Sequence, residues 1–531
     1  MSTTRRKFWG WSYEGDVLSP TEIAWLEQGL AARFGITQFE VMPAPTMAEI
    51  DLRPARLSVP LSLQELCTTE PYERLLHSYG SSFPDSVRAF ARDFSHPPDV
   101  VAYPRTAQEV ATLLDWCNEV SAVVIPFGGG TSVVGGVEPP PDAPAVVTLD
   151  LRHMNRVLAI DPVSQAALIQ AGARGPELEE QLKPSGLTLR FFPQSFLFST
   201  LGGWIATRAG GHFATLLTHI DDLVESVQAV TPGGIMEARR LPASGAGPDP
   251  NRLWLGSEGI FGVITQAWVR VRPRPTFRAA TAVHFLDVWR AAEAVRAIAQ
   301  AGLYPANCRL LDPLEAQLNA AGDGSRAVLV LSFESADHPL DAWLKRALEL
   351  CADYAGQPVP GDADQETAHR SGASGMWRAR FLRMPWLREA LTARAILSDT
   401  VETSIPWEHF VHLYTSVKEA TEQAILQATG LRGLVSCRFT HVYPDGPVAY
   451  FTFQAPGRRA ALLEQFWTIK RAAADAILQA GGTITHHHAV GRDHRPWYDQ
   501  ERPEHFATAL RAVKRAFDPN GLLNPGVLID P

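Results

Sequence analysis

Apolar and polar positions alternate with different periods along the chain. From Pro98 the apolar run Val100-Val101-Ala102 reads as a strand. Thr106 to Glu119 places Val110, Leu113, Leu114 and Cys117 on one face, the period of an amphipathic helix. The β-branched run Ala122 to Ile125 and the run Ala145 to Leu149 read as buried strands. Val157 to Ile160 and Ala166 to Ala171 read as a strand pair, and Val224 to Thr231 as a strand before a turn. Gly175 to Lys183 reads as a helix entered through Pro176.

From about residue 276 strands and helices alternate. Strands are expected at Thr281–Phe285, Ala327–Phe333, Leu434–Tyr443, Val448–Phe453 and Thr483–His488. Helices are expected at Trp289–Gln300, Asp341–Tyr354, Trp407–Gln427 and Ala460–Gln479. Two rounds of a split strand–helix pattern around an antiparallel sheet give this period. Gly361 to Gly375 is polar and glycine-rich and reads as mobile. The chain divides into a helical extension (1–95), a first mixed domain (96–275), a second (276–505) and a C-terminal segment (506–531) that returns to the first. A class of α+β follows, with a helix starting near Pro20 in the extension.

Three glycines interrupt the strand pattern in Pro126-Phe127-Gly128-Gly129-Gly130-Thr131-Ser132. Consecutive glycines let backbone N–H groups converge into an anion-binding nest, and the hydroxyls of Thr131 and Ser132 add donors. A Walker A loop requires a lysine that is absent here. A Rossmann turn requires a helix next, with an acid about 20 residues on. Asp150 stands there, but Pro139, Pro140, Pro141 and Pro144 exclude the helix. The loop reads as a pyrophosphate cradle between strands. A second run, Pro193-Gln194-Ser195-Phe196-Leu197-Phe198-Ser199 through Ala206-Thr207-Arg208-Ala209, mixes hydroxyls and glycines into apolar sequence, as a backbone lying against a flat ligand does. A third, Ser257-Glu258-Gly259-Ile260-Phe261-Gly262-Val263, is a strand-edged glycine segment.

Composition narrows the classes. With 531 residues the chain exceeds one core. A net charge of −9 argues against nucleic acid as a partner. Cys67, Cys117, Cys308, Cys351 and Cys437 form neither a disulfide framework nor a zinc spacing, which points to a reducing, cytoplasmic setting. Met1 to Gly15 lacks the apolar core of a secretory signal, and no stretch approaches about 20 apolar residues.

His486-His487-His488 follows Gly481-Gly482-Thr483-Ile484-Thr485. On a strand His486 and His488 share one face and His487 the other. Phosphate binding or acid–base work is one reading, and ordinary surface and core histidines another. A metal is a rival reading, but no helical histidine pair or spaced carboxylate accompanies them, so no metal is assigned. Tyr450 alternates with Val448 and Thr452 against Ala449, Phe451 and Phe453. Its phenol needs nearby positive charge to act as a base. Arg388 sits in the aromatic, basic run Trp377 to Leu391, which suits phosphate, carboxylate or an anionic membrane surface.

These motifs, with Val401-Glu402-Thr403-Ser404-Ile405-Pro406-Trp407, Cys437-Arg438-Phe439-Thr440 and Trp9-Gly10-Trp11-Ser12-Tyr13, occur in one order along the chain. In that order the chain resembles the alkyldihydroxyacetonephosphate synthase (alkylglycerone-phosphate synthase) branch of the vanillyl-alcohol oxidase superfamily of flavoproteins. The resemblance implies a two-subdomain, PCMH-type FAD-binding domain and an α/β cap domain with an antiparallel sheet. It makes the three glycine-bearing runs, Ala206–Ala209 included, the FAD loops. Thr131 stands where covalent members carry a histidine, so the FAD is expected to be non-covalent. It implies a general base at Tyr450, a substrate-binding Arg388 and an active histidine triplet, His486, His487 and His488. The implied reaction exchanges the acyl group of acyl-dihydroxyacetone phosphate for a fatty alcohol through a flavin N5 adduct, in ether lipid synthesis. Departures are Val448 in place of a cysteine, and Arg190-Phe191-Phe192 in place of Gly-His before Pro193. The alternative on the same fold is an FAD-linked oxidase or dehydrogenase of a 2-hydroxy acid such as lactate or glycolate. An acyl-lipid or other small-molecule substrate, peripheral membrane contact and a homodimer complete the expectation.

Overall fold

The computed structural model describes residues 5–359 and 386–530. The run Gly361 to Gly375, and Trp377 to Pro385 of the aromatic, basic run, lie outside the described residues. Three sheets carry the α+β architecture. The first contains β1 (Cys67–Thr68), β2 (Val100–Ala102), β3 (Val123–Phe127) and β4 (Val146–Asp150) in the order β1-β2-β4-β3. β2 and β3 run parallel to β4, and every residue of β2 and β4 is buried. Parallel strands covered on both faces account for the unbroken apolar runs in the sequence. The glycine loop leaves the end of β3.

The second sheet contains β5 (Val157–Asp161), β6 (Ala166–Gln170), β8 (Val224–Thr231), β9 (Gly234–Glu237) and β10 (Val263–Arg270) in the antiparallel order β5-β6-β10-β8-β9. A short pair, β7 (Leu187–Thr188) with β11 (Arg272–Pro273), links it to the rest. One core joins the two sheets and includes Val124, Ile169 and Trp254 with Leu523 and Val527 from the C-terminus. The C-terminal tail joins β3 directly: Leu522 O accepts from Val124 N and Val124 O accepts from Asn524 N, both at 2.9 Å.

The third sheet is antiparallel. It contains β12 (Phe277–Phe285), β13 (Asn307–Leu311), β14 (Ala327–Ser335), β15 (Gln357–Pro358), β16 (Ile396–Ser404), β17 (Leu434–Val442) and β18 (Pro447–Pro456) in the order β15-β12-β14-β13-β17-β18-β16. Val401, Cys437, Phe439, Phe451 and Phe453 share a core with helices Phe410–Thr429 and Leu462–Gln479. Residues one position away, Thr400, Arg438, Thr440, Tyr450 and Thr452, line a cavity on the opposite face. The period of two in the sequence thus separates the sheet into a core face and a polar face.

Two local expectations differ. Residues Thr483 to His488 form bends, not a strand. Their amides go to a carboxylate on β16 in place of a neighbouring strand. The helix expected from Trp407 opens as a 3₁₀ turn, Trp407–His409, and becomes α-helical at Phe410. In the N-terminal region a capping box at Ser19 and Glu22 starts helix Pro20–Phe34, with Gly35 ending it in the left-handed region at φ 70°.

Lys514, on helix Glu504–Phe517, is fully buried. Its Nζ donates to Ile260 O (2.7 Å), Leu523 O (2.7 Å) and Asp518 Oδ2 (2.6 Å). It ties the C-terminal tail to the Ser257–Val263 loop. Lys514→Met leaves Asp518 buried without its cation, so we expect a loss of about 3–5 kcal/mol in urea unfolding, the scale for breaking a buried pair from one side. Wild-type stability in the variant would refute this role.

Candidate active site

A cavity of about 640 Å3 lies between the glycine loop and the polar face of the third sheet. Its first wall is Gly128, Gly129, Gly130, Thr131 and Ser132, with Pro193, Gln194, Ser195 and Ser199 beside them. These two runs pack without a gap. A Cβ at Gly129 would stand 2.0 Å from Phe198 O, and Gly130 has φ 67°. Side chains there would separate the runs, so the glycines are a steric requirement as well as a conformational one. Thr200 caps helix Leu201–Thr207, and Gly203, Thr207 and Ala209 continue the wall. Pro126, Phe127, Ala206, Glu258, Gly259, Gly262 and Val263 line an adjoining pocket of about 90 Å3.

The remaining loop residues lie outside the lining of both cavities. Phe198 and Phe261 are core residues, and so is Ile260, whose carbonyl accepts from Lys514. Phe196 packs on the core's edge, and Leu197 is 47% exposed. Arg208 pairs with Asp221 at 2.8 Å, and Ser257 Oγ donates to Trp254 O. Glu258 accepts from Val490 N (2.9 Å) and Gly491 N (2.7 Å), and burial raises its carboxyl to about 7 despite them. It fastens the stretch after the histidine triplet to the loop wall.

The second wall belongs to the third sheet. Tyr450 on β18 lies opposite Arg438 on β17 and Glu402 on β16. Cross-strand partners share a face, so three functional groups form one row. The Arg438 guanidinium lies 4.1 Å from the Tyr450 ring centre and pairs with Glu315 at 2.5 Å. Burial raises the Tyr450 phenol, and Arg438, a Thr400 hydrogen bond and Arg388 oppose that rise. The positive charge a tyrosine base needs is present, but burial outweighs it.

Glu402 is buried and accepts from His486 N (2.8 Å), His487 N (3.0 Å), His488 N (3.1 Å) and Thr485 Oγ1 (2.7 Å). Burial acts to raise this carboxyl, but His487, His488 and His486 hold it well below the usual carboxylate range. His487 and His488 line the cavity, 6.0 and 5.5 Å from the Tyr450 ring. His486 instead turns behind them, with Nε2 2.9 Å from the Tyr443 hydroxyl and 3.0 Å from His219 Nε2. The expected sharing of a face by His486 and His488 fails because the segment wraps a carboxylate. Burial, then neighbouring histidines, hold His486, His488 and His441 well below the usual imidazole range.

Arg388, in the helical residues 386–393, lines the cavity while donating to Ser81 O (2.7 Å) and Asp399 Oδ1 (3.3 Å). Lys470 donates to Thr400 O (2.6 Å) and lies 3.6 Å from Asp399. Arg309 on β13 completes the cationic wall, lowered to about 9 by burial and Arg438. Sequence reasoning did not select Arg309 or Lys470. The signal was a lone cation in an apolar strand or helix face, which is weak because long side chains often reach solvent. It also missed Arg6, whose guanidinium donates to Gly129 O at 2.9 Å from far along the chain. Helix Pro20–Phe34 adds Trp25 and Leu26 to the lining beside Glu22 and Arg33, and Leu387 and Leu391 join them.

Comparison with known proteins agrees with this arrangement. Residues 98–238 match the family model "FAD binding domain" and 274–528 match "FAD linked oxidases, C-terminal domain". The chain is an FAD-binding flavoprotein, and the tightly packed glycine loop and its donors fit that cofactor. It is 30% identical over 473 residues to alkyldihydroxyacetonephosphate synthase of Dictyostelium discoideum, covering 86% of this chain and 77% of that protein. It is 28% identical over 483 residues to the mitochondrial cytochrome D-lactate dehydrogenase of Arabidopsis thaliana, covering 88% and 79%. A solved alkyldihydroxyacetonephosphate synthase shares the fold at a TM-score of 0.80, with 24% identity and 98% of each chain covered. The chain belongs to the alkyldihydroxyacetonephosphate synthase family.

Glu402 is testable by pH. Its folded-state pKa is depressed from 4.5, so the unfolded chain takes up the proton first as pH falls. Its stabilisation is therefore complete above about pH 4.5 and lost below it. Glu402→Gln should lower the urea midpoint most near neutral pH, with the gap to wild type closing on acidification. A gap that stays constant with pH would refute this.

Proposed function

We propose that the protein is an FAD-dependent alkylglycerone-phosphate synthase-like enzyme, exchanging the acyl group of an acyl-dihydroxyacetone phosphate for a fatty alcohol. The observation that carries this is one cavity that joins a cationic wall beside Tyr450 to the apolar side chains Leu18, Trp25 and Leu26 of the N-terminal region. Arg309, Arg388, Arg438 and Lys470 outnumber Glu315 and Asp399 on that wall. A phosphate headgroup matches the cations, Arg309 among them. An acyl chain matches the apolar side chains that helix Pro20–Phe34 adds. Bound FAD supplies the nucleophilic ring nitrogen of the reaction. Tyr450 takes the proton from the reacting carbon, helped by the Arg438 charge over its ring. His487 and His488 donate to substrate oxygen, and Arg388 steadies the departing carboxylate.

The resemblance further supports a homodimer that meets its lipid at a membrane surface. Trp25, 68% exposed on the cavity's outer helix, suits that contact. No described helix is long and apolar enough to cross a membrane. The 28% identity to a D-lactate dehydrogenase favours a second reading, oxidation of a 2-hydroxy acid.

Palmitoyl-dihydroxyacetone phosphate added to the purified holoprotein should release fatty acid without oxygen consumption, and faster as pH rises, because the phenol must ionise. Tyr450→Phe should cut release at least a hundredfold, the lower range for losing an acid–base group, with the flavin spectrum intact. Flavin bleaching by lactate or glycolate with no fatty-acid release would overturn the proposal in favour of the second reading.

A further inference from the structure

The glycine loop, Pro126 to Gly136, carries no cation of its own. Its carbonyls are held from behind by the N-terminal extension. Arg6 Nη2 donates to Gly129 O (2.9 Å), Ser81 Oγ to Gly130 O (2.8 Å) and Ser81 N to Ser132 O (2.6 Å). In a trans peptide the N–H points opposite to the C=O. Pinning these three carbonyls therefore turns the amides of Gly130, Thr131 and Val133 away from the extension. Among the described residues no protein group accepts from these amides, although Gly130 is buried and all three residues line the cavity. Amides left this way in a folded protein call for a ligand acceptor, and a row of them favours an anion.

We infer that Arg6 and Ser81 are positioning residues of the FAD pyrophosphate cradle: they set the direction of its amides, and Arg6 supplies the positive charge that the loop lacks. Ser81 is itself fixed. It is buried, Ser82 after it caps helix Phe83–Phe90, and a Cβ at Gly80 before it would stand 2.5 Å from Ser132 O. Its own carbonyl accepts from Arg388 (2.7 Å), so one residue ties the cofactor loop to an arginine of the cavity. Arg6 is fixed by its bridge to Tyr13 and by the Tyr72 hydroxyl, which donates to Arg6 O at 2.8 Å. Its guanidinium carbon lies 5.1 Å from the Phe198 ring centre, and its Nε is buried with no hydrogen-bond partner among the described residues. Burial and Arg152 lower the guanidinium to about 10, which leaves it charged at neutral pH. The nearby carboxylate, Asp150, is engaged by Arg152 (2.6 Å) and His77 (2.9 Å). A guanidinium whose hydrogen bond goes to a neutral carbonyl gains from an anion bound at the amides of the same loop. The inference rests on FAD binding and holds for either substrate reading.

The full-length protein, freed of flavin and titrated with FAD or riboflavin under flavin fluorescence, gives the test. Riboflavin has the ring but not the pyrophosphate. Arg6→Met should weaken FAD at least tenfold, the scale of a lost charge-assisted contact, and Ser81→Ala at least threefold. Riboflavin affinity should change less than twofold in both. Arg6→Lys keeps a donor and the charge, and should stay within threefold of wild type for FAD. Equal losses for FAD and riboflavin would mean general loosening and overturn the inference, as would unchanged FAD affinity in either variant. Where riboflavin binds the wild type too weakly to measure, Arg6→Lys decides: a loss equal to that of Arg6→Met overturns the inference. An unchanged far-ultraviolet circular dichroism spectrum certifies folding, and if Arg6→Met fails that check, Ser81→Ala carries the test. The readout needs no turnover, so it stays separate from failure of the fatty-acid release assay.

Discussion

The Glu402 carboxylate is the point on which the site depends. It is buried on β16, where an uncompensated charge would cost several kcal/mol. Compensation comes from three successive amides, His486 to His488, and the Thr485 hydroxyl. That need dictates the path of the histidine segment. The backbone must curl around the carboxylate, which sends His487 and His488 toward the cavity and His486 toward Tyr443. One buried charge therefore converts a sequence triplet into two separate environments.

A second constraint sets the distance between the walls. The glycine loop can touch Phe198 and Thr200 only because it has no side chains at Gly128 and Gly129. Glu258 then binds Val490 and Gly491, and Lys514 binds Ile260 and Leu523. These contacts connect the loop wall, the histidine segment and the C-terminal tail. The cavity between them thus has walls from segments hundreds of residues apart, held by a few buried polar links.

Much of the fold was legible because its signals are local. The period of two around Tyr450 marked both faces of β18, and the helix start near Pro20 followed from the proline ahead of an apolar run. The glycine loop was legible because proline excluded the helical alternative. Thr483 to His488 misled because its pattern resembles a strand, while the decisive partner, Glu402, is distant in sequence. Arg309, Lys470 and Arg6 were missed for the same reason. A cation's role depends on what it faces, and single-chain patterning does not encode that across a fold.

The row Arg438, Tyr450 and Glu402 shows how the sheet apportions charge. Register alone places the three residues side by side, so neither end can move without shifting a strand. Arg438 is held by Glu315 and Glu402 by the histidine amides, which leaves Tyr450 as the neutral member between two fixed, opposite charges. Burial raises that phenol, against the pull of Arg438. Proton loss from Tyr450 thus leaves a new anion beside an arginine already in place, with no rearrangement of the wall. The same sheet places Arg309 on β13 and Arg438 on β17, across Tyr450 from Glu402. The Arg438 guanidinium is thus separated from the buried carboxylate by the width of one strand, and the reactive phenol occupies that strand.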